Sequence, residues 1–226
     1  MPSTVKKRPV SPRQKMINLL YIVLLAMLAL NVSSDVLKGF TLIGDSLRRT
    51  IDNATKENEA LYADFKEQYQ ANPAKVKPWF DKAMAVKALS DDLYLFADSM
   101  RWAIAREADG ADGNPDRLDD KENLEAASRI MLAPRRGQGK ALLQRIVHFR
   151  QAVLQQVTDP RQRAIIASNL STDVPRTEDN YGKDWTQYMF EEMPAIAAVT
   201  MLSKLQSDVR KAEGEVLHTL RANIDL

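Results

Sequence analysis

"SPRQKMINLLYIVLLAMLALNVSSDVL", residues 11–37, decides how the rest of the chain is read. It starts with two cations, Arg13 and Lys15; nothing from Met16 to Ser34 is charged, and Asp35 closes the run. Leu19 to Leu30 is unbroken apolar sequence. Nineteen helical residues rise roughly 28 Å, close to the ~30 Å hydrocarbon thickness of a bilayer. A secretion signal also has basic residues before an apolar core, but it then needs small residues two apart at a cut site. Val32-Ser33-Ser34 serves that purpose poorly, and Ala26 and Ala29 have the wrong spacing. Length and the poor cut site favour a retained span over 16–36. No proline or glycine follows before Gly39, so the pattern predicts one helix running on past the span.

The start of this helix is marked by Ser11-Pro12-Arg13-Gln14: an N-cap, a proline at the first helical position, and Gln14 three residues after the cap. That is a capping-box pattern. It places Arg13 at the positive end of the helix dipole, the unfavourable end for a cation. Two readings follow. Arg13 and Lys15 are positive-inside anchors reaching lipid phosphates, or they are cations held for an acidic partner at the membrane. Asn18, Asn31 and Ser33 are polar within the run, and such groups tend to face protein rather than lipid. An oligomer or a partner membrane protein is therefore expected.

The charge balance agrees with a span. Five of the 32 basic residues, Lys6, Lys7, Arg8, Arg13 and Lys15, precede the apolar run with no acid among them, leaving 27 against 30 acids beyond it. A basic tip and a mildly acidic body put the amino terminus in the cytoplasm. A net charge of +2 argues against a nucleic-acid binder driven by bulk charge. There is no cysteine, so no disulfide, and only His148 and His218, so a zinc site of the usual kind is not expected. No cofactor is expected.

The remainder reads as helix after helix. Leu37, Phe40, Ile43, Leu47, Ile51, Ala54, Leu61 and Phe65 keep mostly three- and four-residue spacing until Asn72-Pro73. A second helix is expected from near Pro78 to Ala108, with Phe80, Met84, Leu89, Leu93, Phe96, Met100 and Ile104 as its packing stripe. "DGADGNPDRLDDKE" (Asp109 to Glu122) is an acidic turn. Asp112, Asn114 and Asp116 match the first ligand positions of a calcium loop, but Arg117 stands where glycine is needed and Asn123 where the glutamate should be. "APRRGQGKALL" (Ala133 to Leu143) lacks the glycine spacing and Ser/Thr of a phosphate loop. A short helix to Met131, another over Leu142 to Val157 with Ile146, Phe149, Val153 and Val157 inward, and a restart at Asp159-Pro160 follow. After a polar loop over 171–184, one long helix kinked at Pro194 is predicted from Trp185 onward. The ending "RKAEGEVLHTLRANIDL" has no stop signal, so further chain is expected beyond it. The fold class is all-α: one amino-terminal transmembrane helix and an antiparallel bundle. The carboxylate pairs Asp91-Asp92, Asp119-Asp120 and Glu191-Glu192 point in different directions on their helices, and no nucleophile–base arrangement stands out, so an enzyme is not expected.

The opening stretch closely resembles the start of the GldM/PorM family, the inner-membrane subunit of the type IX secretion and gliding motor of Bacteroidetes. Pro12 to Asn18 and Ala29 to Asp35 carry the resemblance, which covers directly about a fifth of the chain; the helical remainder agrees in type. The resemblance implies a homodimer with one span per subunit, set inside a ring of a two-span membrane subunit of the GldL/PorL type. It implies proton flow turning one part against the other, and later periplasmic domains that reach an outer-membrane-associated ring. It implies residues 1–15 in the cytoplasm, 16–36 in the inner membrane and 37–226 in the periplasm. It also implies that Arg13 faces an acid on the ring subunit, with Lys15 as the nearest competitor. No acid or histidine lies between Met16 and Ser34, so a titrating group would have to belong to the partner. A passive membrane-anchored tether is the competing reading. A chemoreceptor-like sensor would need a second apolar run of ~18 residues, and "PAIAAVTML" (Pro194 to Leu202) is too short. For the dimer mate, the outward extension of the first helix and the last long helix are the expected faces.

Overall fold

The computed structural model describes residues 10–30 and 33–224, with side chains at all of these except 27–30. Among the described residues there are eight helices and no strand: α1 (Pro12–Leu30), α2 (Ser34–Ala71), α3 (Pro73–Asp109), α4 (Ala126–Leu132), α5 (Gly139–Gln156), α6 (Pro160–Asn169), α7 (Trp185–Phe190) and α8 (Ala195–Ile224). The chain divides into two compact units, residues 1–36 and 37–226. The fold is all-helical. Among the described residues no helix is long and apolar enough to cross a membrane. The expected span over 16–36 falls partly outside them, since residues 31–32 and the side chains of 27–30 are not described.

Where one continuous first helix was expected, two are observed. Ser33 is non-helical, and its Oγ accepts a hydrogen bond from Asp35 N at 3.3 Å. Serine is a preferred N-cap because its oxygen satisfies a first-turn N–H, and Asp35 in that first turn suits the positive helix end. Polar capping residues thus start a new helix without any proline or glycine.

The second unit is built around α8. It packs most extensively on α3, with α4, α5 and α6 against it and α7 beside α4 and α5. Hydrogen bonds and ion pairs tie α2 to α8 at Phe40–Thr200, Asn58–Arg210 and Asp64–Arg221, in rising order along both helices. Thus α2 and α8 run parallel. Against α3 the order reverses, with Asp98 and Tyr94 near Gln206 and Ser90 near Glu213. The three long helices thus alternate in direction, with α2 and α8 parallel as the first and third of them. The chain returns through α3 and again through the layer of short helices before α8 begins, so α8 starts at the end where α2 started. At ~1.5 Å per residue, the 30 residues of α8 make a spine roughly 45 Å long.

The packing rows repeat every seven residues. On α3 they are Val76, Ala83, Ser90, Ala97 and Ile104, with Val86 and Leu93 between; on α2 they are Leu37, Ile51, Asn58 and Phe65, with Gly44 in the vacant position. This is the spacing of helices packed nearly parallel over their whole length. The predicted α3 stripe is half right. Leu93 and Ile104 are buried, but Met84 is exposed and Phe80, Leu89, Phe96 and Met100 are half-buried. Small residues line the seam and bring α3 close to α8, so the large apolar side chains flank it. In α5, Ile146, Phe149 and Val153 are buried as expected, as is Val157 just after it, and Leu142 joins them.

Two prolines act differently from expectation. α3 already begins at Pro73, because Asn72 caps it by accepting from Lys75 N at 3.2 Å and proline suits the first position. Pro78 lies inside the helix on its exposed side, where water can reach the carbonyl left without its N–H. Pro194 separates two helices instead of kinking one: α7 ends at Phe190, Glu192 is left-handed at φ 51, and α8 begins at Ala195. Proline forces its predecessor out of the helical region, and a short helix with its own Asp184–Gln187 capping box has an independent start.

The acidic turn folds back on α3. Asp109 accepts from the backbone N–H of Asp119 at 2.9 Å and Asp120 at 2.8 Å. Asp116 is shared by Arg48 at 2.9 Å and Arg101 at 2.8 Å, and Asn114 accepts from Asp116 N. A side chain at Gly113 would meet the Ala105 carbonyl oxygen at 2.2 Å, so only glycine fits where the turn touches the helix. Among the described residues no group of three or more potential ligands is placed to hold a metal.

Phe65→Ala, at a fully buried seam position, is expected to lower unfolding stability by about 3–5 kcal/mol, whereas Leu95→Ala, at a side chain 64% exposed, should stay within about 0.5 kcal/mol. Denaturant midpoints followed by circular dichroism check this; equal shifts would contradict the assigned seam.

Candidate functional site: the amino-terminal helix and a buried polar cluster

In the first unit, Ser11 caps α1: its Oγ accepts from Gln14 N at 3.3 Å and its carbonyl from Lys15 N at 3.0 Å. Gln14 does not reach back to the cap. Its Nε2 donates to Asn18 Oδ1 at 3.0 Å, one turn onward. Arg13 and Lys15 are exposed on the first turn, on the side of the chain before the apolar run. Asn18 is engaged within its own helix, Ser33 caps α2, and Asn31 lies outside the described residues. The apolar side chains from Met16 to Leu25 are all exposed, Leu20 to 64% and Tyr21 to 62%. A single exposed leucine is ordinary, but a whole helix of them marks a surface for lipid or for another protein.

The second unit holds a cluster that sequence reasoning missed. Glu213 on α8 is 1% exposed and accepts hydrogen bonds from three helices. Its Oε1 takes Tyr62 Oη at 2.7 Å. Its Oε2 takes Ser90 Oγ at 2.7 Å, Arg210 at 2.9 Å and Asn58 Nδ2 at 3.2 Å. Asn58 also donates to the Arg210 carbonyl at 2.9 Å. Arg210 reaches Asp91 at 2.8 Å and lies 4.3 Å over the Tyr94 ring, while Lys87 bonds the other side of Asp91 at 2.9 Å. Asp91 is thus half-buried and paired from two sides, and Asp92 beside it turns outward to Arg145 at 3.1 Å.

The electrostatics follow from this crowding. Burial would raise the Asp91 carboxyl, but hydrogen bonds and charge from Lys87 and Arg210 outweigh it and hold it below the usual carboxylate range. Burial opposes the Arg210 charge, yet Glu213 and Asp91 keep its affinity for the proton above the ordinary value. Burial, then the charge and hydrogen bond of Glu213, push the Tyr62 hydroxyl well above the usual phenol range. Both oxygens of the Glu213 carboxylate are taken by donors, and Arg210 also reaches a second carboxylate, an arrangement suited to holding helices in place. The residues were findable as polar side chains on inward rows: Asn58 in the α2 heptad, and Glu213 among Val209, Ala212, Val216 and Leu220.

A family profile described as the GldM N-terminal domain matches residues 35–223, from the first turn of α2 to the last turn of α8. The chain belongs to the GldM family. The match covers all of the helical bundle and its buried cluster. No curated protein matches the chain. GldM proteins are components of the gliding and type IX secretion machinery, structural or motor parts rather than members of an enzyme family. The resemblance read from residues 12–18 and 29–35 and the profile match over the bundle thus reach the same family through nearly separate parts of the chain.

The pH dependence of the cluster has a sign at each end. Asp91 titrates lower when folded, so its contribution is present above the ordinary carboxylate range and is lost as pH falls through its depressed value. Tyr62 titrates higher when folded, so its contribution is present below pH ~10 and is lost as pH rises beyond that. Thermal midpoints across pH are expected to fall less steeply in acid for Asp91→Asn and less steeply in alkali for Tyr62→Phe than for the parent. Parallel profiles would contradict the geometry.

Proposed function

We propose that this chain is an inner-membrane motor subunit of the type IX secretion and gliding machinery. In this reading α1 crosses the membrane once, with the amino terminus in the cytoplasm and the bundle in the periplasm. The chain acts as a dimer inside a ring-forming two-span partner of the GldL/PorL type. Proton flow through the partner is converted into rotation, which further periplasmic domains carry toward the outer membrane. The observation that supports this reading is α1 itself: exposed apolar side chains, a run without acid or histidine, and exposed cations at its capped start. Arg13 is the residue assigned to face an acid on the ring subunit. A guanidinium close to a carboxylate favours the charged form of that acid and releases it when the acid takes a proton, so proton binding is coupled to a change in contact. Lys15, a flexible point charge two residues on, is the second candidate.

Arg13→Ala and Arg13→Lys, introduced into the native chain in cells, test this. Type IX cargo export is expected to collapse in the alanine variant, and to fall in the lysine variant, while protein level and co-purification with the ring partner are unchanged. Normal export in both variants would reduce Arg13 to an anchor and favour a passive tether.

A further inference from the structure

The middle of the α2–α8 seam is polar where an apolar side chain would hold the helices together more simply. Leu37, Ile51 and Phe65 fill the row on either side, but the position between Ile51 and Phe65 is Asn58, 5% exposed. It lies over Gly214, where an added Cβ would come within 2.8 Å of Asn58 Oδ1, so a larger residue at 214 would crowd the polar site. Beside this row a second one, Leu47, Ala54 and Leu61, is half-buried and equally apolar. Apolar contact alone therefore discriminates weakly between the observed alignment and one shifted by a turn. The polar cluster discriminates strongly. In any shifted alignment Tyr62 and Asn58 leave Glu213, and a carboxylate 1% exposed loses two of its four donors. A buried charge that has lost partners is strongly unfavourable, and fixing alignment is the best-attested use of polar groups inside helix seams.

We propose that the Glu213 cluster is a register lock: it stops α2 from sliding along α8, so that displacement applied at the start of α2 emerges at the far end of α8. The parallel course of the two helices suits this, because both run from the same end of the bundle. Ser90 and Arg210 hold the carboxylate from the α3 and α8 sides, so the lock is anchored in the core even when α2 is pulled. The lock itself follows from the cluster; only its use in transmission rests on the motor reading.

The absence of cysteine allows a direct test. Nitroxide labels on Glu59→Cys and His218→Cys, exposed positions on α2 and α8, report the helix alignment in the full chain by double electron–electron resonance. The parent is expected to give one narrow distance. Glu213→Leu with Asn58→Leu should add a second distance, from helices slid by about 5 Å, one helical turn, along one another. Tyr62→Phe, which removes one hydroxyl and keeps the packing, should populate the same displaced distance as a minor fraction, and it decides the matter if the leucine pair does not fold. Ile51→Ala should lower the thermal midpoint and leave the distance single. An unchanged single distance in the cluster variants, or a displacement by Ile51→Ala as large as theirs, would overturn the lock. Neither result depends on export, so failure of the lock and failure of the Arg13 reading are separately visible.

Discussion

Glu213 is a charge buried where α2, α3 and α8 meet, and the bundle is organised around satisfying it. A carboxylate removed from water costs several kcal/mol unless donors replace the solvent, and removing a partner from a buried pair typically costs about 3–5 kcal/mol. Here Tyr62 and Asn58 come from α2, Ser90 from α3 and Arg210 from α8 itself. Only Arg210 is supplied by the local turn of α8; the other three donors are non-local, so the site is complete only when all three long helices are docked. The surrounding seams are made of small and aliphatic residues, Ala83, Ala97, Ile51 and Val216 among them, which permit close approach but set alignment loosely. The apolar rows supply the driving force, and the cluster selects one arrangement among those the rows allow.

The surface pairs add little to this. Lys77–Asp81 and Arg129–Glu107 are exposed, and exposed pairs are worth about 0–1 kcal/mol each. Asp116, shared by Arg48 and Arg101, differs because it joins the acidic turn to α2 and α3 at once, with Arg101 largely buried. The two units stand in contrast. The bundle buries nearly every large side chain on its seams, whereas α1 leaves a run of leucine, isoleucine, valine and tyrosine exposed. Burying each such aliphatic side chain is worth roughly 1.5–3 kcal/mol, so the helix has a strong drive toward an apolar surrounding that the bundle does not share.

The helical class, the capped starts at Ser11 and Asp159, and the inward face of α5 were legible in the sequence because each rests on local chemistry. Asp159 accepts from the Arg161 N–H, as its position predicts. What was illegible is non-local. The α3 seam runs through Ala83, Ser90 and Ala97, which a search for large apolar residues passes over in favour of Met84 and Phe80. The break at Ser33 and the separation of α7 from α8 at Pro194 depend on a choice between continuing and restarting a helix, and strong caps decided it. Asn58 and Glu213 were visible as polar residues at inward positions, but their pairing spans more than 150 residues of sequence and no single-helix pattern contains it. The last helix is the central helix of the bundle, buried along both of its halves.

Joined at Glu213, α2 and α8 behave as one body. Native-state hydrogen exchange along the full chain measures this directly. The account predicts that amides around Asn58–Phe65 and Arg210–Leu217 exchange among the slowest in the protein and share one opening free energy, so that both helices open together. Fast exchange throughout α2 with α8 still protected would show that α2 detaches on its own, and would contradict it.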